Sequence, residues 1–155
     1  MPSTLSVIID PADTLQPHKD SSLAFIRYVL SQPDWQVNLI YPNDIWIDHG
    51  KLWAYTRCIE DIQPKALPQL GSPKAQRLAS MDAIWIRLDP PFDQKYLYLT
   101  YLMSHALREN ILVLNHPDAI RSANEKLCAL WFPDFCPPHI ITQSPDTIKN
   151  FVEKN

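Results

Sequence analysis

The sequence predicts an α/β domain in which a mainly parallel β-sheet is flanked by helices. Short apolar runs of strand length alternate with longer segments whose apolar residues recur at helical spacing. In one run, Ile84, Trp85 and Ile86 are consecutive β-formers, so both faces of that strand should be covered, as in a parallel sheet between helices. Charged residues follow two of these runs directly, and parallel strands present functional groups at that end.

The first part of the chain predicts two strands around one helix. Residues 5–9 and 35–40 form β-rich runs, and the segment between them has apolar residues at helical spacing. Asp20 or Ser21 is suited to cap this helix, because a short polar side chain accepts hydrogen bonds from the N–H groups of the first turn. Pro33 should end the helix.

A β-hairpin is predicted over residues 44–57. Two β-rich runs flank the turn sequence at 48–51, and Trp46 and Trp53 should pair across the two strands. The proline-rich residues 64–73 predict a surface loop. The remaining predicted elements are a short helix at 74–79, the strand at 84–86, a helix at 94–109, a strand at 111–114, a helix from 121–126 through 131–132, a strand at 139–142 and a helix at 146–154 capped by Ser144.

Composition and charge narrow the class of protein. A chain of 155 residues with 46% hydrophobic and 20% charged residues fits one globular domain with at most a short appendage. The net charge of -3 creates no basic field, which argues against nucleic acid and anionic membranes as primary partners. The first six residues contain neither a basic region nor a long apolar run, which predicts a cytoplasmic protein.

Cysteine, glycine and histidine usage argues against several kinds of site. Cys58, Cys128 and Cys136 are odd in number and widely spaced, so they are interpreted as small hydrophobic residues and not as a disulfide framework or a zinc site. Neither Gly50 nor Gly71 lies in a glycine-rich turn after a strand, which excludes a GxGxxG or Walker loop. No histidine pair has HxxxH spacing, and no metal site is expected.

The central predicted strand leads into a charged loop that contains two prolines. Arg87 and Asp89 follow the strand directly, and Asp10 follows the first predicted strand in the same way. Pro90 and Pro91 fix φ and bias the residues before them toward extended backbone, so the loop should be stiff. We expect Asp10, Arg87 and Asp89 to converge on a ligand crevice. The alternative is that Arg87 and Asp89 only pair with each other.

Ser21 and Ser22 lie at the predicted N-terminus of the first helix. Backbone donors and the helix dipole favour an anionic ligand group at such a position. A plain capping role is the alternative for these serines.

Several short motifs follow one another along nearly the whole chain. They are VIIDP at 7–11, HKDSS at 18–22, AYTR at 54–57, RLDPPFD at 87–93, VLNHP at 113–117 and RSANEKLCALWF at 121–132. In this order they resemble the front part of bacterial glutathione synthetase. The resemblance implies a Rossmann-like pre-ATP-grasp domain over residues 1–122 and the first elements of a truncated ATP-grasp domain over 123–155.

The resemblance also implies an activity and its ligands. Glutathione synthetases use ATP and magnesium to activate the carboxylate of γ-glutamylcysteine, which glycine then attacks to complete glutathione. Arg87 would then hold a substrate carboxylate, and Asp89 or Asp10 an ammonium group. Ser21 and Ser22 would complete the substrate site.

Lys126 matches the family's first lysine for ATP phosphates, and a solvated helix lysine is the alternative. The second phosphate lysine, the flexible glycine-rich loop and the magnesium carboxylates of the family are expected beyond Asn155, so ATP and magnesium are not expected to bind tightly to this chain alone. Two positions depart from the family pattern. Leu88 replaces the usual lysine of RKDPP, and His116 stands where NKP is common.

Two classes of function therefore remain. The first is the N-terminal, substrate-binding part of a glutathione synthetase, excised, truncated or split, and inactive alone. Its partners would be γ-glutamylcysteine or glutathione and a separate ATP-grasp chain. A homo-oligomer of this chain is a further alternative. The second is a stand-alone α/β binding or assembly module that has lost the ligase reaction. An ATP-grasp reading frame in the downstream coding sequence would favour the first.

Overall fold

A mixed β-sheet forms the centre of the first part of the protein. The computed structural model describes residues 2–124 and 126–154, and within them the sheet has seven strands. These are β1 (Ser3–Ile9), β2 (Trp35–Asp48), β3 (Lys51–Asp61), β4 (Gln69–Leu70), β5 (Lys74–Arg77), β6 (Ala83–Arg87) and β7 (Leu112–Leu114). Their order is β4-β3-β2-β1-β6-β7, and β5 pairs with β3 outside this path.

Four adjacent strands, β2, β1, β6 and β7, run parallel and confirm the predicted parallel sheet. Val7 of β1 lies opposite Leu39 of β2 on one side and Trp85 of β6 on the other. The chain moves outward from β1 to β2 and later returns to β6 on the other side of β1. The strand order thus reverses between β1 and β6, and open α/β sheets bind ligands at such a point.

Two helices cover this sheet, α1 (Ser21–Leu30) and α2 (Gln94–Arg108). Leu23 and Ile26 of α1 are fully buried in one cluster with Val7 and Ile9 of β1. Ile8 lies between these two strand residues and points to the opposite face, where it is also fully buried. Helix α2 contacts β7, β2 and β3, and its buried residues are Leu99, Thr100, Met103 and Ala106. The predicted helical cover is therefore confirmed.

Asp20 is the residue that caps α1. Its Oδ1 accepts hydrogen bonds from the backbone N–H groups of Ser22 at 2.7 Å and Leu23 at 3.0 Å. The helix ends at Leu30, shortly before Pro33, as predicted. Of the two predicted capping residues, the acidic one is used, which leaves the hydroxyl of Ser21 available for other contacts.

Strand β2 continues from the parallel sheet into the predicted hairpin with β3. The register between the two strands shifts between Ile40 and Ile45, which marks a β-bulge. The sequence predicted a separate strand before the hairpin, whereas the structure has one strand of 14 residues. The bulge lets the strand bend without ending its pairing.

The hairpin turn has the geometry that a two-residue connection requires. His49 has φ of 46° and Gly50 has φ of 73°, and positive φ at both positions matches the twist of the flanking strands. The rings of Trp46 and Trp53 stack across the hairpin with centroids 6.4 Å apart, as predicted. Nε2 of His105, on α2, lies 2.9 Å from the Gly50 carbonyl oxygen, so this histidine fastens the turn to the helix.

The helix predicted at 74–79 is wrong. Lys74–Arg77 form β5, antiparallel to β3, and a 3₁₀ turn at Leu78–Ser80 follows. The segment is too short for a helical or strand periodicity to show in its sequence. The edge of β3 supplies hydrogen-bond partners to its backbone, and this tertiary pairing overrides local propensity. Residues 64–73, predicted as a loop, also contain β4.

The described residues divide into two compact units, with the boundary between Asp118 and Ala119. Two further helices are α3 (Pro117–Ser122) and α4 (Pro145–Lys154). In the part of the chain that the structure describes, no helix is long and apolar enough to cross a membrane.

The helix predicted to run through Phe132 does not form among the described residues, and Glu125 lies outside them. Oδ1 of Asn124 accepts hydrogen bonds from the backbone N–H groups of Lys126 at 3.0 Å and Leu127 at 3.2 Å. Such bonds offer the backbone an alternative to the helix. Short 3₁₀ turns follow at Cys128–Trp131 and Pro133–Phe135.

The strand predicted at 139–142 is also wrong, because these residues pair with no strand among those described. The last predicted helix is confirmed as α4. Oγ of Ser144 accepts a hydrogen bond from the backbone N–H of Thr147 at 3.3 Å, so the predicted cap is present.

We predict that Asp20→Ala lowers the free energy of unfolding by about 0.5–2 kcal/mol, because two backbone N–H groups at the start of α1 lose their acceptor. Asp20→Asn keeps an acceptor oxygen and should cost much less. Urea unfolding of both variants and the parent measures the difference. Equal stability of Asp20→Ala and the parent would show that the cap contributes nothing.

Candidate functional site

A polar cleft of about 660 Å³ opens at the carboxyl ends of β1 and β6. Ile9 pairs with Arg87 in the parallel register, so the loops that follow β1 and β6 leave the sheet side by side. The sequence-predicted site residues that line this cleft are Asp10, Ser21, Ser22, Arg87 and Asp89. The structure therefore brings together every residue of the predicted substrate site.

The Arg87 guanidinium is held by two hydroxyl groups. Its Nε donates to Oγ of Ser22 at 2.9 Å, and its Nη2 donates to Oγ of Ser21 at 3.1 Å. The guanidinium carbon also lies 5.0 Å from the ring centroid of Trp85, within the range of a cation–π contact. No ion pair joins Arg87 to Asp89 in the described part of the chain. Arg87 is instead hydrogen-bonded to the two serines, which differs from the alternative in which it pairs only with Asp89.

Asp10 fastens the loop that follows β6. Its Oδ2 accepts a hydrogen bond from the backbone N–H of Asp89 at 2.9 Å. The carboxylate of Asp10 thus holds the loop backbone, and Asp89 itself lines the same cleft. The sequence predicts the same role for both aspartates, but the structure gives them different surroundings.

The serines at the start of α1 do not act as its cap. Asp20 fills that position, and the hydroxyls of Ser21 and Ser22 bind Arg87. Ser22 is buried, whereas Ser21 is exposed. The guanidinium therefore lies beside the N-terminus of α1, where the Asp20 carboxylate already occupies two first-turn N–H groups.

Tyr96 lines the cleft and was not predicted from the sequence. It lies in the first turn of α2, where Oδ1 of Asp93 accepts a hydrogen bond from its backbone N–H at 2.9 Å and caps the helix. Burial raises the pKa of the Tyr96 phenol above its usual value of 10.0. Arg87 opposes this shift, and Asp10 and Asp89 add to it. The phenol is therefore a neutral hydrogen-bonding group near neutral pH.

Charges of both signs line the cleft, which suits a ligand that carries both a carboxylate and an ammonium group. Leu88, which departs from the family pattern, lies in the wall and adds no charge. The cationic residues of the wall are Lys19, Arg87 and Lys95, and the acidic ones are Asp10, Asp20, Asp89 and Asp93.

Lys126 belongs to the second compact unit, and its predicted role toward ATP phosphates stays a prediction. Its backbone N–H is bonded to Asn124, as described above. Among the described residues, no group of three or more histidine, cysteine, aspartate or glutamate side chains is arranged to hold a metal ion.

The strand order and the cleft at its reversal point define an open α/β domain of the Rossmann-like class with a charged ligand crevice. Residues 4–121 match the family model described as the N-terminal domain of prokaryotic glutathione synthetase. The chain belongs to this family.

Individual relatives agree with this assignment. Glutathione synthetases from Vibrio cholerae, Vibrio parahaemolyticus and Pseudomonas putida are 34%, 33% and 33% identical to the chain over 152 residues. Each alignment covers 97% of this chain and 48% of the relative. The chain thus spans about half the length of the curated relatives it matches.

The raised pKa of Tyr96 predicts a pH dependence of stability. The folded protein holds this proton more tightly than the unfolded chain, so the stabilisation is fully present below pH 10.0 and is lost as the pH rises above it. Tyr96→Phe removes the ionisable group, and its free energy of unfolding should fall less steeply above pH 10.0 than that of the parent. Urea unfolding across this range tests it, and parallel curves would contradict the assignment.

Proposed function

We propose that this chain supplies the substrate-binding part of a glutathione synthetase and holds γ-glutamylcysteine, or the product glutathione, in the cleft between β1 and β6. The family assignment supports the reaction class. The observation that carries the proposal is the Arg87 guanidinium, which Ser21 and Ser22 hold at the cleft wall. A group fixed before the ligand arrives loses less conformational entropy on binding.

Arg87 is suited to a carboxylate of the peptide. A guanidinium has five N–H donors, and the two serine bonds use only two of them. The remaining donors allow a charge-assisted bond to a carboxylate. We assign a carboxylate of the peptide to this edge of the cleft.

Asp89 is suited to the ammonium group of the γ-glutamyl residue. Asp10 holds the Asp89 backbone, so it acts on the ligand chiefly by positioning the loop. The neutral phenol of Tyr96 lines the same cleft and offers a donor to an uncharged oxygen of the peptide. The ammonium group and a carboxylate of the peptide therefore each have a partner of opposite charge in the cleft.

We further propose that residues 123–155 begin an ATP-grasp region. The end of the family match at residue 121 and the boundary between compact units after Asp118 support this division. In this proposal Lys126 would contact an ATP phosphate. ATP would supply the phosphoryl group that activates the peptide carboxylate, with magnesium offsetting phosphate charge.

The described residues do not by themselves fit a complete ATP and magnesium site. They contain no cluster of metal-binding side chains, and neither glycine of the chain lies in a phosphate-binding loop. We therefore assign this chemistry to the complete enzyme, in which the ATP-grasp region lies on a longer polypeptide or on a separate partner chain.

The binding proposal predicts that Arg87→Ala abolishes detectable binding of γ-glutamylcysteine or glutathione. We expect the parent to bind in the millimolar range, about 4 kcal/mol, and the lost charge-assisted bond to be worth about 1.5–3 kcal/mol. Asp89→Asn, which keeps the shape of the side chain, should weaken binding less. Ligand-induced shifts in NMR spectra measure each affinity.

Arg108→Ala serves as the matched control, because Arg108 is exposed at the far end of α2 and does not line the cleft. It should leave both binding and melting temperature unchanged. If Arg87→Ala lowered the melting temperature but left the ligand shifts intact, Arg87 would be a structural residue and not a ligand-binding one.

A second prediction concerns the reaction. The 155-residue chain tested alone should form no glutathione from γ-glutamylcysteine, glycine and ATP, because it corresponds to only 48% of the relatives' length. Addition of a separately expressed ATP-grasp half from a relative provides the test of complementation. ATP-dependent ligation by the chain alone would overturn this prediction, and binding without ligation in both cases would favour a stand-alone binding module.

A further inference from the structure

A second concavity of about 450 Å³ lies beside the polar cleft. The bulged part of β2 forms one wall and the first half of α2 forms the other. Ile45 contributes from the strand, and Tyr98 and Leu102 contribute from the helix. We call this space the apolar groove.

The apolar groove and the cleft share a wall. Pro42, Asn43 and Lys95 line both spaces. Lys95 is suited to such a boundary, since its hydrocarbon stem packs on apolar surface while its ammonium group stays in a polar environment. A ligand held in the cleft therefore has direct access to the groove.

The groove leaves apolar surface in contact with solvent. The Tyr98 side chain at its rim is 66% exposed, whereas Leu99 in its lining is 2% exposed. A concave apolar space next to convergent charged groups is the usual form of a small-molecule site, in which the polar part orients the ligand and the apolar part adds affinity.

We propose that the apolar groove is a second subsite, which accepts an apolar S-substituent on a γ-glutamylcysteinyl peptide bound in the cleft. This rests on the proposed function, because the cleft must hold the charged ends of the peptide. The thiol is the position of such a peptide that can carry an alkyl or aryl group without removing either charged end. The chain would thus bind S-substituted peptides in preference to the free thiol.

The test compares glutathione with S-hexylglutathione in NMR titrations of the whole chain. We expect the S-hexyl derivative to bind at least about tenfold more tightly, which is about 1.4 kcal/mol and corresponds to burial of about two methylene groups. Arg87→Ala should weaken both ligands, because both need the cleft.

Two variants test whether the gain in affinity for S-hexylglutathione comes from the groove. Tyr98→Ala and Leu102→Ser should bring the affinity ratio close to one while leaving glutathione binding unchanged. Tyr28→Ala is the matched control, because this tyrosine is 65% exposed on α1 and does not line the groove. It should keep the full ratio. Melting curves establish that each variant is folded, and Tyr98→Ala, at an exposed position, keeps the test decisive if Leu102→Ser is unstable.

The outcomes separate the two proposals. Glutathione binding without a gain for the S-hexyl derivative would overturn the groove proposal alone. A gain that survives both groove variants would place the hexyl chain elsewhere and would also overturn it. Failure of both ligands to bind would overturn the proposed function and the groove proposal with it.

Discussion

Parallel pairing of β1 with β6 is the constraint on which the site depends. It brings Asp10 and Asp89, which are 79 positions apart in the sequence, into a hydrogen bond between a carboxylate and a backbone N–H. A register slip of one residue would turn alternate side chains to the opposite face and would separate the strand ends that carry these groups. The buried apolar residues of β1 therefore fix the register and, through it, the chemistry of the cleft.

The start of α1 shows how the site is preorganised. Asp20 satisfies the first-turn N–H groups, so the neighbouring hydroxyls are used to orient Arg87. Stability of the helix and orientation of the arginine are therefore supplied by different side chains of one short segment. The sequence around Ser21 predicts a helix start and a candidate ligand site, but the bond to Arg87 depends on a strand from a distant part of the chain.

The sequence predicts much of the fold because the parallel strands are continuous apolar runs and α1 and α2 are strongly patterned. Asp10, Arg87 and Asp89 follow from the rule that strand ends carry the ligand crevice. β5 was missed because this segment is a strand through its pairing with β3, and its own sequence pattern does not indicate one. Tyr96 was missed because its position in the first turn of a helix does not reveal that this turn borders the cleft. The roles of these residues toward a ligand remain predictions.

The bond between His105 and Gly50 has a mechanical consequence. Strand β2 rises about 3.3 Å per residue, so its far end at Asp48 lies about 10 Å beyond Ile45, where the bulge ends. The bond between His105 and Gly50 connects this end of β2 to α2. The strand and the helix that border the groove are therefore joined to each other beyond it. The distance between strand and helix along the groove is therefore set in part by a contact at the hairpin turn, outside the residues that line the groove.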